Sequence, residues 1–503
     1  MEHSLIEQAV IERTLRDAFD ILRDASDPGT RRGNVLAMFF FKALFDIWQE
    51  QTAAYQTQYA GYPDLIQEML GNERFVVPPE ADFHALHALR HESGNGVRID
   101  MALLALAEAN DRKLRNVFQD FSFNALKFGS ETQKNVMLGK LLEHFAKPEL
   151  DLRPSRMGRS NMVGDVFESL LWQLAADDGK KGVESYTAPA LSQLMALLMD
   201  PQPGESICDP ACGTGSSLIR CAHLIREHGQ SKNYALYGQE IVAGTWALAR
   251  MNLYLHEEDN HRIEWGDMIA NPRLTGDDGS LMRFDIVLAH LPFSVEKWAL
   301  GAAEADRFGR FRHGVPPRTK SDYAFILHMI QTIKPATGRM AAIVPHGVLF
   351  RGAGEGLIRK KLIEENLLDA VIGLPEKLFY TTNIPAAMLI FRHGKSDDTV
   401  LFIDASRDFQ EGKNQNLLRP QDLERVLSTY RARVPVDEYA SLASREQLAS
   451  NHYNLNIPRY VDPFGKKEEV DLRMLRGERE KLTLELVSLG MRMDECLTEL
   501  GHE

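Results

Sequence analysis

Ile207–Ile219 reads ICDPACGTGSSLI. A buried strand ends at Asp209, a glycine-rich turn follows, and a helix pattern opens near Ser216. Gly213 and Gly215 permit backbone angles that other residues resist and let a ligand approach the chain closely. A lone G-x-G is common among α/β proteins. Its weight here comes from the segments that follow at the spacing of a doubly wound sheet.

Seven short apolar segments alternate with helical patterns between about residues 160 and 400: ESICDPAC, YALYGQEI, RIEWGD, FDIVLAH, GRMAAIVP, LLDAVIGLP and AAMLIFRH. Near-continuous apolar strands alternating with helices predict a mostly parallel sheet covered on both faces. The turn-rich FYTTNIP before the seventh segment leaves room for an antiparallel return. The second strand ends at Glu240, where an acid suits two ribose hydroxyls. The third ends at Asp267, where a carboxylate can accept from the exocyclic amine of adenine. The fourth runs into His290-Leu-Pro-Phe293. Four successive strands thus bring polar or special residues to the sheet edge at which such folds bind ligands. Taken singly, each could be a turn or capping residue, but that reading explains the ordered series poorly. No phosphate-gripping lysine follows the glycines, which excludes a P-loop. A ligand with adenine, ribose and a short polar tail fits better, and S-adenosyl-L-methionine is that ligand.

Around this core, residues 1–155 carry apolar residues at three- and four-residue steps and read as an all-helical N-terminal domain. Residues 156–430 form the sheet-bearing domain, and 431–503 a C-terminal extension. In that extension Leu475, Leu482, Leu489 and Cys496 recur every seven residues. Leu472, Leu486, Met493 and Leu500 fill the alternate seam, with Arg479 as the exception. The repeat predicts either a coiled-coil-like helix or a helix packed on its own domain.

The 503 residues carry a formal net charge of −13. Such a chain does not coat DNA unaided, since backbone binding rests on Lys and Arg neutralising phosphates. A partner or a local basic patch must supply the attraction. DRFGRFRHGVPPRTKSD places five Lys or Arg residues among glycines and prolines, and it reads as a mobile basic loop able to meet a DNA backbone. The four cysteines include a C-x3-C pair, Cys208 and Cys212, with no second pair to complete a zinc site. His84, His87 and His91 lie near one helix face without an accompanying carboxylate motif, so no metal site is expected. The run VLAMFFFKALFDIW is too short for a membrane span and is interrupted by Lys42 and Asp46. The N-terminus lacks the basic and apolar regions of a signal peptide, and a reducing cytoplasm fits these features.

DVFESLL, ESYTAPALSQLM, DPACGTGS, GQE, HLPF and the long downstream stretch GEGLIRKKLIEENLLDAVIGLPEKLFYTTNIPAAMLIF resemble the modification (M) subunits of type I restriction–modification systems. These are DNA adenine-N6 methyltransferases with a Rossmann-like α/β fold that use S-adenosyl-L-methionine. The resemblance covers at least residues 155–430. It implies that Glu184, Ser185, Tyr186, Thr187, Ala188 and Pro189 line the methionine side of the cofactor. Thr187-Ala-Pro stands where the family often has Thr-Pro, which puts individual contacts there in doubt. It implies that Asp209, Ala211, Cys212, Gly213, Thr214, Gly215 and Ser216 hold the amino-acid portion, Glu240 the ribose and Asp267 the adenine. Double-stranded DNA is the implied substrate. The implied partners are a specificity (S) subunit, typically with two M per S, and a nuclease–translocase (R) subunit for cleavage. No membrane is involved.

The family's catalytic turn is Asn-Pro-Pro-Phe or a close relative. The Asn side-chain oxygen and the next backbone carbonyl accept from adenine N6 of a flipped base, and the fourth residue stacks on it. Pro292 and Phe293 match, whereas His290 and Leu291 depart. A histidine accepts through one ring nitrogen and only when neutral. Leu291 keeps its carbonyl but lacks the proline constraint on φ. A retuned or slow enzyme, an S-adenosyl-L-methionine-binding scaffold without activity, and an engineered variant all remain open from the sequence.

Overall fold

The computed structural model describes residues 5–23, 27–125, 130–177, 188–229, 231–293, 295, 298–299, 301, 303, 305–379, 384–413, 415–462 and 472–500. The N-terminal part is helical, with helices Gln8–Ile21, Pro28–Gln58, Asn95–Ala109, Glu131–Phe145 and Met162–Asp177 among its elements. Pro28 opens the second of these after Asp27, whose carboxylate accepts from the Thr30 backbone N–H at 3.0 Å. An acidic cap followed by proline satisfies an end donor and presets φ at the first helical residue. This helix is buried from Gly33 to Asp46. The two charges that interrupt this stretch form a buried pair, Lys42 Nζ to Asp46 Oδ2 at 2.5 Å. Leu150 O accepts from the ammonium and the Leu152 N–H donates to the carboxylate, so neither buried charge lacks a partner.

One sheet of nine strands forms the centre of the molecule, in the order β3-β2-β1-β4-β5-β7-β6-β8-β9. β1 is Ser206–Asp209, β2 Ala235–Glu240, β3 His261–Trp265, β4 Ile286–His290 and β5 Arg339–Pro345. β6 is Leu368–Gly373, β7 Ala386–Arg392, β8 Val400–Asp404 and β9 Ala440–Ala443. β1 to β5 pair in parallel, and β7 lies antiparallel between β5 and β6. The seven segments read from sequence are β1 to β7. β8 pairs parallel with β6, and β9 returns antiparallel along β8.

Successive strand residues face opposite layers, as the two-residue period requires. Ile286 and Leu288 join a core shared with the N-terminal helices, whereas Val287 and Ala289 join the core under the helix Asp322–Thr332. The N-terminal helices therefore share a continuous core with one face of the sheet. An ion pair between Arg74 and Asp259 at 2.6 Å adds a polar tie between the same parts.

The order reverses between β1 and β4, since β1 leads outward to β2 and β3 while β4 leads the other way to β5. The crevice at the carboxyl ends of the strands beside such a reversal is where open α/β sheets bind ligands. The C-terminal helix Leu472–Glu499 extends with its heptad residues exposed, Leu475 at 46%, Leu482 at 59% and Leu489 at 60%. Of the two readings of this repeat, packing on its own domain is not what the fold shows. No helix among the described residues is long and apolar enough to cross a membrane.

Candidate active site

A cavity of about 290 Å³ opens at the carboxyl ends of β1 to β4. Of the expected residues, Ala211, Cys212, Gly213, Glu240, Asp267, His290 and Pro292 line it. Asp209 sits behind the loop with its Oδ1 accepting from the Ala211 N–H at 3.1 Å. Thr214, Gly215 and Ser216 lead into the helix Ser216–Glu227, with Gly215 in the left-handed region at φ 82°. The Thr214 carbonyl accepts from the buried Asn252 side chain at 3.0 Å, which fixes this turn from below. Ala188 and Pro189 cap and open the helix Pro189–Met199, and Glu184 to Thr187 lie outside the described residues.

The loop and the acidic strand ends are tied together. Glu240 accepts from the Gly213 N–H at 3.1 Å through Oε2 and from the Val242 N–H at 2.8 Å through Oε1. Each carboxylate oxygen has a second lone-pair site, so ligand hydroxyls can still be accommodated. Gly238 allows the close approach of loop and strand: a Cβ there would meet Ile263 Cδ1 at 2.9 Å and Cys212 Sγ at 3.0 Å. Asp267 uses Oδ1 to accept from the Ile269 and Ala270 N–H groups at 2.7 and 3.1 Å. Its Oδ2 takes no hydrogen bond from the described residues. Gln239 clamps the same turn from β2, donating to Asn271 O and accepting from the Arg273 N–H, each at 3.0 Å.

Burial sets the protonation of these groups. It pushes Asp209 up to about 8, opposed by the Ala211 N–H and reinforced by the nearby Glu240 charge. Glu240 is also raised by burial, against the donated N–H groups of Val242 and Gly213. His290 is lowered to about 4 by burial, so its imidazole is neutral across physiological pH. A neutral ring keeps one acceptor nitrogen.

The catalytic turn is held more firmly than its sequence suggests. Leu291 is buried at 2% exposure, and its N–H donates to Ile343 O of β5 at 3.4 Å. The ladder between β4 and β5 thus runs one residue past the strand, restraining the backbone at the position where a proline would restrain φ. Phe293 meets the His290 ring edge-on, with centroids 5.4 Å apart.

Several lining residues were not read from the sequence. Ile241 and Val242 follow Glu240 directly and are 61% and 50% exposed, an apolar pair at the mouth whose position after YGQE was the available signal. Trp298 and Phe325 arrive from distant segments and had no local signal. The basic loop also differs from expectation. Arg310 is 3% exposed, pairs with Asp306 at 2.8 Å and donates to the carbonyls of Met268 and Ile269. It braces the turn carrying Asp267 and cannot reach a phosphate. Arg312 and His313 engage Glu365, Arg312 staying exposed beside Arg307 and Arg318, with Lys320 half-buried. Among the described residues no cluster of three or more His, Cys, Asp or Glu is placed to hold a metal ion.

Comparison with known proteins agrees with this geometry. The model of the N-6 DNA Methylase family matches residues 158–469, and that of the HsdM N-terminal domain matches 11–145. The MjaVIII type I restriction enzyme methylase subunit of Methanocaldococcus jannaschii is 28% identical over 93% of this chain and 80% of its own length. The HindI type I restriction enzyme methylase subunit of Haemophilus influenzae is 28% identical over 82% of this chain and 94% of its own. The crystal structure of a type I restriction–modification methyltransferase subunit from Streptococcus thermophilus superposes with a TM-score of 0.80. It is 31% identical, covering 91% of this chain and 100% of that one. With the family model spanning more than half the residues, the chain belongs to the N-6 DNA methylase family, among the methylase subunits of type I restriction–modification systems.

Proposed function

We propose that this methylase binds S-adenosyl-L-methionine in the cavity at the ends of β1 to β4 and methylates adenine N6 in double-stranded DNA. The observation that carries the proposal is the convergence of four strand ends on one cavity, with the neutral His290 ring on its wall. The residues fit the cofactor. The close approach at Gly238 and the left-handed Gly213 and Gly215 form a cradle for its amino-acid end beside Asp209. Glu240 is placed to accept from ribose hydroxyls. Asp267 Oδ2 has acceptor capacity for the adenine amine, and Ile241 and Val242 offer apolar surface to the base.

When bound, the cofactor supplies an electrophilic methyl group on a sulfonium. The chain's task is to position the target amine and stabilise it as it reacts. The acceptor nitrogen of the neutral His290 ring is assigned one N6 proton, and the Leu291 carbonyl the other. Together they direct the nitrogen lone pair toward the methyl group. Phe293 stacks on the flipped base. The nitrogen loses a proton to solvent through this acceptor pair as the N–C bond forms, and the S–C bond that breaks would leave the cofactor's sulfur as a neutral thioether.

Association with a specificity subunit, with two methylase chains per specificity chain, supplies the DNA recognition that a −13 chain lacks. The exposed heptad face of Leu472–Glu499 is the surface offered to that partner, and a nuclease–translocase subunit joins for cleavage. The test is transfer of labelled methyl from S-adenosyl-L-methionine to unmodified genomic DNA by the chain co-purified with its specificity subunit. Methyladenine at one recurrent sequence is expected. Bound cofactor and bound DNA without methylation would leave a scaffold on a methylase fold.

A further inference from the structure

We propose that the cleft between the helical N-terminal part and the β3 edge of the sheet is an anion site that takes phosphate groups. The cleft is separate from the cofactor cavity and shares no lining residue with it. Its occupancy does not depend on the methyl-transfer reading.

The cleft measures about 500 Å³, within the range of about 300–1,000 Å³ that small-molecule sites occupy. Four arginines line it, Arg112, Arg115, Arg250 and Arg262, against two carboxylates, Asp111 and Glu264. His261 on the same wall is lowered to about 4 by burial and stays neutral at physiological pH. Four positive and two negative charges leave a net +2, in a chain of net charge −13. A cleft walled by one sign of charge focuses the field that an anion meets.

Two of the arginines are neutralised within the cleft and two are not. Arg115 Nε donates to Asp111 Oδ1 and Arg262 Nε to Glu264 Oε1, each at 2.8 Å. Arg112 is exposed and meets no carboxylate among the described residues. Arg250 meets none there either. Its guanidinium lies over the Trp246 ring, 5.1 Å from the centroid, and donates to the carbonyls of Lys113 and Arg115, the second at 3.2 Å. Those neutral acceptors hold the group in place without cancelling its charge. A guanidinium has five N–H donors, more than these contacts consume. An arginine already fixed loses little freedom when it takes a ligand.

The cleft suits phosphate better than a peptide strand. β3 ends the sheet, and its ladder with β2 turns the Ile263 backbone outward. The Ile263 carbonyl, which an added strand would use, already accepts from Trp246 Nε1 at 2.8 Å. The guanidinium groups are what remains on offer, and their forked donors match phosphate oxygens. Arg112 and Arg115 belong to the helical part, Arg250 and Arg262 to the sheet part. A bound phosphate group therefore ties the two parts together. Two sources supply that chemistry, the backbone of DNA and the polyphosphate of a free nucleotide.

The test is calorimetric titration of the full chain with tripolyphosphate at low salt, with S-adenosyl-L-methionine present to fill the cofactor cavity. One-to-one binding is expected, with a rise in the melting midpoint and weakening as salt increases. Arg112→Gln should weaken binding on the order of 10-fold, and because this side chain has no partner to lose it should melt like wild type. Arg250→Lys, which keeps the charge but not the fork, should weaken it at least about fivefold. Arg459→Gln removes an exposed charge elsewhere and should bind as wild type does. Competition names the source. Displacement by a short duplex of G·C pairs assigns the site to the DNA backbone, and displacement by cytidine triphosphate alone assigns it to a free nucleotide; either supports the proposal. No binding, equal losses in Arg112→Gln and Arg459→Gln, or a bound tripolyphosphate that neither competitor displaces would overturn it. Arg112→Gln should leave the affinity for S-adenosyl-L-methionine unchanged, so a failure of the cofactor site is read separately.

Discussion

Replacing Leu291 by proline restores the residue its family usually carries at that position, yet the fold predicts harm. Leu291 donates its N–H to Ile343 O at 3.4 Å, and proline has no N–H to give. Such a bond contributes about 0.5–1.5 kcal/mol net, and its length puts this one at about 0.5–1. Leu291 is also 2% exposed within the core that includes Phe284, Tyr323 and Val344. Exchanging its side chain for a smaller ring of different shape removes roughly one buried carbon and leaves imperfect packing, about 1–2 kcal/mol. The sum is about 1.5–3 kcal/mol. For a domain of this size each kcal/mol moves the melting midpoint by about 2–4 °C, so Leu291→Pro should melt about 3–12 °C below wild type. Differential scanning calorimetry of the full chain, with and without S-adenosyl-L-methionine, measures the shift, and a parallel methyl-transfer assay should show lower activity. His290→Asn, which leaves the bond intact, should melt closer to wild type. A Leu291→Pro chain as stable as wild type, or one that methylates faster, would refute the reasoning. It would mean that a fixed φ rather than strand pairing sets this turn.

Three further outcomes follow from the site. Gly238→Ala drives a Cβ toward Ile263 and Cys212, and Cys212 lines the cavity, so cofactor affinity measured by calorimetric titration should fall at least about tenfold. Retained affinity would show that the loop yields freely. Asp267→Asn keeps an oxygen for the Ile269 and Ala270 N–H groups but turns a donor toward the adenine amine. It should weaken S-adenosyl-L-methionine binding by about tenfold or more with little change in melting, and equal affinity would place the base elsewhere. The two shifted groups give opposite pH trends in stability. His290 has a folded-state value of about 4, below its ordinary 6.5, so its contribution is present above 6.5 and is lost as pH falls toward 4. Asp209 is raised from 3.8 to about 8, so its contribution is present below 3.8 and is lost as pH rises toward 8. Melting profiles of His290→Asn should flatten the acid side and those of Asp209→Asn the alkaline side. Unchanged slopes would show that these side chains are hydrated.

The sequence by itself determined the seven segments that became β1 to β7, the glycine turn at Gly213 and Gly215, and the acids at Glu240 and Asp267. These features are local. A buried parallel strand needs a short apolar run, a tight turn needs glycine, and a residue at a strand's carboxyl end stands at the sheet edge wherever that strand lies. The helical N-terminus was legible for the same reason, through its repeating apolar steps. β8 and β9 left weaker marks, because VLFID and ASLA become strands through the neighbours they pair with. Only the tertiary structure showed that Lys42 and Asp46 close on each other, or that Arg310 turns inward to brace the Asp267 turn. HLPF looked weakened because the missing proline and asparagine were visible in the sequence while their replacements were not. The bond from Leu291 to β5 depends on which strand lies beside β4. The ring over His290 depends on β7 returning between β5 and β6, which brings the end of the β6 segment over the end of β4. Neither contact is a property of neighbouring residues, so no periodicity or motif announces it. Strand order decides both.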